Sequence, residues 1–206
     1  MSVAEFAPAA VAPGVWRWTA EHPDWEPGAQ PGSPADWERS VGCLLCELGG
    51  AAVFVDALVP GAEAAFWRWA DERQEGAERT LALTTIGFHR RSRDELVARY
   101  GASTSRARGA LPAGLRPIRL AAAGEVMFWL AESRALVAGD RVLGDGDGGL
   151  RLCPESWLRY LGSGFTRDEL RFVLRPLLEL PIERVLVSHG EPVLSGGREA
   201  LAEAIG

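Results

Sequence analysis

Arg184-Val185-Leu186-Val187-Ser188-His189-Gly190-Glu191-Pro192-Val193 reads as a short apolar strand that ends by presenting a histidine ahead of a glycine. Two earlier stretches end in the same manner on an acid. Ala51-Ala52-Val53-Phe54-Val55-Asp56 runs straight into an aspartate, and Ala135-Leu136-Val137-Ala138-Gly139-Asp140 reaches one through a glycine. Polar residues at strand ends sit on loops held by a rigid sheet, where binding and catalytic groups concentrate.

Working outward, residues 43–48, Gly49-Gly50 and residues 51–56 read as two strands joined by a tight hairpin, with residues 15–18 as an edge strand before them. Residues 1–13, rich in Ala and Pro, read as a flexible arm. Residues 19–42 carry Pro23, Pro27, Pro31 and Pro34 together with Trp25 and Trp37, and read as a long loop over a cleft. A breaker-free stretch at 62–75 predicts a helix, and 80–84 a strand. Ser92-Arg93-Asp94-Glu95 reads as a capping box opening a helix to Tyr100, and Thr166-Arg167-Asp168-Glu169 as a second one. Residues 102–107, 116–120, 125–130, 134–137 and 184–187 read as further strands. Helices are expected after Pro154 and over 198–205. Strands interrupted by helices at this density predict an α/β layered domain with mixed sheets, a single one over residues 1–206.

Bulk properties narrow the function. The chain has 22 Lys and Arg against 28 Asp and Glu, a net charge of −6, with no concentrated basic stretch, which disfavours nucleic acid. The apolar runs are too short to span a bilayer, and the N-terminus lacks the charged start and apolar core of a signal peptide. The expectation is a cytoplasmic protein with no membrane association. Three cysteines, Cys43, Cys46 and Cys153, give no disulfide framework. Cys43 and Cys46 lie three apart in a strand and so point to opposite faces, which spoils joint ligation. They read as packing. Asp145-Gly146-Asp147-Gly148-Gly149 lacks the later glutamate of a calcium loop and reads as a turn. No Gly-x-Ser-x-Gly elbow or phosphate loop occurs, and the adjacency of Ser188 and His189 does not make a nucleophile–base pair.

The three strand ends, in this order, resemble the metallo-β-lactamase superfamily over nearly the whole chain. The resemblance implies an αββα four-layer sandwich with metal ligands on loops at one edge of two sheets. The superfamily's His-x-His-x-Asp-His signature falls on Leu83-Thr84-Thr85-Ile86-Gly87-Phe88-His89-Arg90. Thr85 and Gly87 stand where the first two histidines would be, His89 at the aspartate and Arg90 at the last histidine. Ala121, in Ala121-Ala122-Ala123-Gly124, replaces a further histidine. Asp140 and His189 stand unchanged, and Asp56 matches an aspartate that braces the metal loop.

With only His22, His89 and His189 in the chain, a five-histidine dinuclear centre is excluded. A reduced site of Asp140, His189 and His89 offers a carboxylate and two imidazoles, a set suited to one zinc or iron ion. Two readings stay open. One is a metal-dependent hydrolase of a small ester, lactone or thioester. The other is a metal-free protein that binds a small anion against Arg90, whose guanidinium can pair with carboxylate or phosphate. His22 and Trp25, on the long loop, are candidate substrate contacts, with a surface histidine and a loop-pinning tryptophan as the plainer readings. Trp67 and Trp69 on the predicted helix leave room for a homodimer through an exposed aromatic face.

Overall fold

The central strands are apolar along their whole length because both faces are covered, so they lack the alternation of a solvent-facing sheet. A computed structural model describes residues 6–106, 110–161 and 164–206. The chain divides into two compact units, Met1–His22 with Ser40–Leu115, and Pro23–Arg39 with Arg116–Gly206.

In the first unit, β1 (Ala9–Ala12), β2 (Val15–Glu21), β3 (Ser40–Leu48), β4 (Ala51–Val55) and β5 (Arg79–Leu83) form one sheet in sequence order. The first four pair antiparallel, and β5 adds parallel to β4. Gly49 and Gly50 close the β3–β4 hairpin with φ of 51° and 73°, the doubly positive turn that suits a twisted two-residue loop. A parallel neighbour needs a crossover, which α1 (Glu63–Gln74) supplies. Phe66 and Ala70 of α1 are buried. Trp18 and Phe66 meet Trp69 and Phe6 edge-on or tilted, and the Trp18 indole N–H donates to Leu58 O at 3.0 Å. Asp71 of α1 accepts bonds from Arg99 and Tyr100 of α2 (Arg93–Tyr100).

In the second unit, β6 (Leu115–Leu120), β7 (Glu125–Leu130), β8 (Ala135–Ala138) and β11 (Arg184–Val187) make a sheet in the order β11-β8-β7-β6, with β11 parallel to β8. A separate hairpin joins β9 (Val142–Gly144) to β10 (Leu150–Leu152), and Asp145 shapes its turn by accepting the N–H groups of Asp147 and Gly149. α3 (Glu155–Leu158), α4 (Arg167–Leu174) and α5 (Gly197–Ile205) contribute Trp157, Leu158, Leu170, Leu174, Leu201 and Ile205 to a core with Met127, Leu136 and Val185. Thr166 and Glu169 form the reciprocal capping box at the start of α4.

Four expectations need correction. Residues 9–12 of the expected arm are strand β1, paired to β2, while residues 1–5 lie outside the described residues. The expected strand at 102–107 reduces to a single bridge from Ser103 to Leu81, with residue 107 outside the described residues. Ser92 does not cap α2. Its hydroxyl is buried and accepts the Val59 N–H at 3.0 Å, so a long-range donor has taken the oxygen that the local motif needed. Trp67 and Trp69 are half-buried against aromatic residues of their own unit, so the expected exposed face is absent. No helix among the described residues is long and apolar enough to cross a membrane.

Candidate functional site

Parallel strands in register deliver their C-terminal ends to the same edge, and this brings Asp140 to His189. Val187 of β11 lies opposite Ala138 of β8, so Gly139-Asp140 and Ser188-His189 leave the sheet side by side. His189 Nε2 stands 3.4 Å from Asp140 Oδ1. The imidazole is buried and meets Trp37 and Trp157 edge-to-face, at centroid distances of 6.0 and 5.4 Å. Trp37 comes from the long loop, which begins after β2 and ends at β3. That loop also reaches the next residue, since Glu38 accepts the Gly190 N–H at 3.1 Å.

Backbone packing holds the His189 turn from the other side. The Gly144 N–H donates to His189 O at 3.0 Å. Gly190 has φ of 78°, and a Cβ there would lie 2.8 Å from Gly144 O, while a Cβ on Gly144 would lie 2.4 Å from Glu191 O. Neither position has room for a side chain.

Beneath Asp140 lies a residue that sequence reasoning missed. Glu125, the first residue of β7, is buried and accepts three consecutive backbone N–H groups, from Gly139 (2.9 Å), Asp140 (2.9 Å) and Arg141 (3.0 Å). Burial and the Asp140 charge push its carboxyl up to about 7, against the lowering effect of those N–H groups and of Arg141. Arg141 is also buried, its Nε donating to Ala123 O at 2.7 Å. The available signal was a lone acid opening the otherwise apolar run Val-Met-Phe-Trp-Leu.

In the first unit, β4 and β5 repeat the parallel arrangement. Val55 pairs with Leu83, so Asp56 and the 84–90 segment leave one edge together. Asp56 takes a positive φ of 49°, tolerable for aspartate, and its buried carboxylate becomes an acceptor hub. Oδ1 accepts the Thr85 N–H at 2.8 Å, and Oδ2 accepts the Thr85 hydroxyl and faces His89 Nδ1 at 2.9 Å. Burial opposes the charge, but His89, Arg91 and Thr85 together outweigh it and hold Asp56 below the usual carboxylate range. An ionised Asp56 makes His89 Nδ1 the donor, which leaves Nε2 as the imidazole's remaining coordinating atom.

The neighbouring arginines part ways. Arg91 is tied into the fold: its Nη1 donates to Gly42 O at 2.8 Å and Asp56 O at 2.6 Å, linking β3 to the end of β4. Arg90 is exposed, and it borders a crevice with His89, Arg93, Phe54 and Leu96 that has no room for a water molecule. Trp25 spends its indole N–H on Trp37 O at 2.8 Å, which pins the long loop. His22, just beyond β2, is half-buried. The three cysteines are buried and unbridged, as packing residues would be.

No family model matches the sequence, and comparison with curated proteins gives no match. Solved structures do match. An NDM/FIM-1-like metallo-β-lactamase from Erythrobacter litoralis in its mono-zinc form aligns with a TM-score of 0.62 and 16% identity, covering 100% of this chain and 97% of that one. A second structure of a metallo-β-lactamase from that organism gives 0.61 and 16%, covering 100% and 92%. The DIM-1 metallo-β-lactamase exposed to ceftazidime gives 0.58 and 16%, covering 100% and 97%. Identity at this level speaks for architecture alone, and it agrees with strand ends that place Asp56, Asp140 and His189 on edge loops. The chain has the metallo-β-lactamase fold.

Proposed function

We propose that this chain is a divergent metal-dependent hydrolase of a small ester, lactone or thioester, acting in the cytoplasm through a reduced, mononuclear site of Asp140, His189 and His89. The observation that carries the reading is the in-register β8–β11 pair, which sets Asp140 Oδ1 and His189 Nε2 3.4 Å apart at one sheet edge. The donor chemistry fits a cation. Two imidazoles and one carboxylate suit zinc or iron and leave positions open for water and substrate. His89 is prepared for such a role, because Asp56 occupies Nδ1 and so fixes the ring and its tautomer. A fold that holds a single zinc in the Erythrobacter litoralis structure supports a one-ion site here.

When bound, the ion supplies Lewis acidity, polarising a carbonyl and acidifying water. The protein's own groups do the rest. Trp37 and Trp157 wall His189 away from bulk water, which strengthens electrostatic interactions there. Glu38 and Gly144 hold the His189 turn, and Asp56 holds His89. Metal analysis of protein purified without chelator tests the reading. Stoichiometric zinc or iron, lost in His189→Ala, is expected. No transition metal after refolding with either ion would remove the hydrolase reading.

A second reading rests on Arg90, an exposed guanidinium that follows His89 in the chain. In it the protein binds a small carboxylate or phosphate without metal. Arg90→Ala should then reduce the thermal stabilisation given by inorganic phosphate or acetate, and an unchanged shift would eliminate the idea.

A further inference from the structure

We propose that Glu125 is the positioning residue of the site: by gathering the N–H groups of Gly139, Asp140 and Arg141 it curls the 139–141 turn so that the Asp140 carboxylate faces His189 and can ligate a cation. The inference rests on the metal reading above, and it concerns a residue that touches neither metal nor substrate.

Three observations carry it. First, one side chain satisfies three successive backbone donors, which lie 14 to 16 residues away in sequence. Three bonds from successive N–H groups to one buried side chain restrain the backbone on both sides of Asp140. Second, the cradle is placed where an apolar residue would be cheaper. Glu125 is 2% exposed and opens a strand whose other residues are apolar. A buried ionisable group is often neutral or unfavourable for stability next to an apolar residue of similar volume, which argues for a role in what it organises. Third, the turn is clamped from both sides. Arg141, the residue after Asp140, sends its own side chain back to Ala123 O, next to the start of β7. The backbone bearing Asp140 is therefore held so that its Cα–Cβ bond keeps one direction.

Glu125→Gln is the informative change. Oε2 accepts from both Asp140 and Arg141, and Oε1 from Gly139. A glutamine keeps the volume but turns one oxygen into an NH2 group, which opposes at least one backbone N–H in either orientation. Zinc affinity, measured by competition with a chromophoric chelator, should fall about 10- to 100-fold in E125Q, the usual cost of losing a group that orients a ligand. The cobalt-substituted protein should show a changed visible spectrum, while the metal-free variant still melts cooperatively. A merely structural role would lower the melting temperature and leave both the affinity of the folded protein and the cobalt spectrum as in wild type. That result would overturn the proposal while leaving the metal reading intact. Should E125Q not fold, Glu125→Asp is read in the same way, since it keeps the charge and shortens the reach by one methylene. A wild-type protein that binds neither zinc nor cobalt would overturn the metal reading and this proposal together.

Discussion

Each unit of the molecule carries one aspartate–histidine pair at the end of a parallel strand pair, and the two are built differently. Asp56 and His89 are joined at 2.9 Å, with Thr85 contributing two more bonds to the same carboxylate. Asp140 and His189 stand at 3.4 Å, and the bonding that holds them acts on the backbone, through Glu125 under one residue and Gly144 behind the other. In the first pair the acid is committed to bracing. In the second, the bonds act on the backbone that carries the two side chains. The same strand-end geometry thus yields an acid that braces its histidine in one unit and an acid whose own backbone is braced in the other.

The sharpest way to break this contrast is to remove each acid in turn. Asp56→Asn leaves Thr85 and His89 without a charged acceptor in a buried place and should cost about 3–5 kcal/mol in urea unfolding, the range for breaking a buried ion pair. Asp140→Asn, in a longer and somewhat more exposed pair, should cost less than Asp56→Asn while weakening zinc retention. Equal costs would abolish the distinction. A pH series sharpens it next. Asp56 is held below its ordinary value of 3.8, so its stabilising contribution is fully present above that value and is lost as pH falls through the depressed one. Wild type should therefore lose stability in acid below about pH 4 more steeply than Asp56→Asn does. Thr85→Val removes one hydroxyl bond to Asp56 and should cost about 1–2 kcal/mol by the same unfolding assay.

The smallest effect is a rate. Burial pushes the Cys46 thiol up to about 12 in the first unit and the Cys153 thiol up to about 11 in the second. Both should react slowly with a disulfide reagent at pH 8 in the native protein and rapidly in urea. Unequal native rates would report which unit opens more readily.

Much of the layout was legible in the sequence. Strands ending in Asp56, Gly139-Asp140 and His189-Gly190 stand where expected, because apolar runs and glycine punctuation are local signals. The roles that escaped detection depend on distant partners. Glu125 acts on residues 14–16 positions away, Ser92 loses its cap to Val59, and Arg91 reaches back to Gly42. Strand β1 escaped because Ala-Ala-Val-Ala carries little strand preference, and its identity comes from pairing with β2. The family resemblance offered Asp56 as a brace, and its bond to His89 was visible only once both side chains had been placed.

The tight approach of Gly144 and Gly190 bears on how a mutational map of this protein would read. In a saturation screen, both positions should score as intolerant as His189 itself, although neither bears a functional group. A methyl at either would wedge β9 away from the turn that carries the imidazole. Ranked by fitness alone, two atoms of empty space would pass for catalytic residues, and only paired measurements of fold and metal content would tell them from the histidine they hold in place.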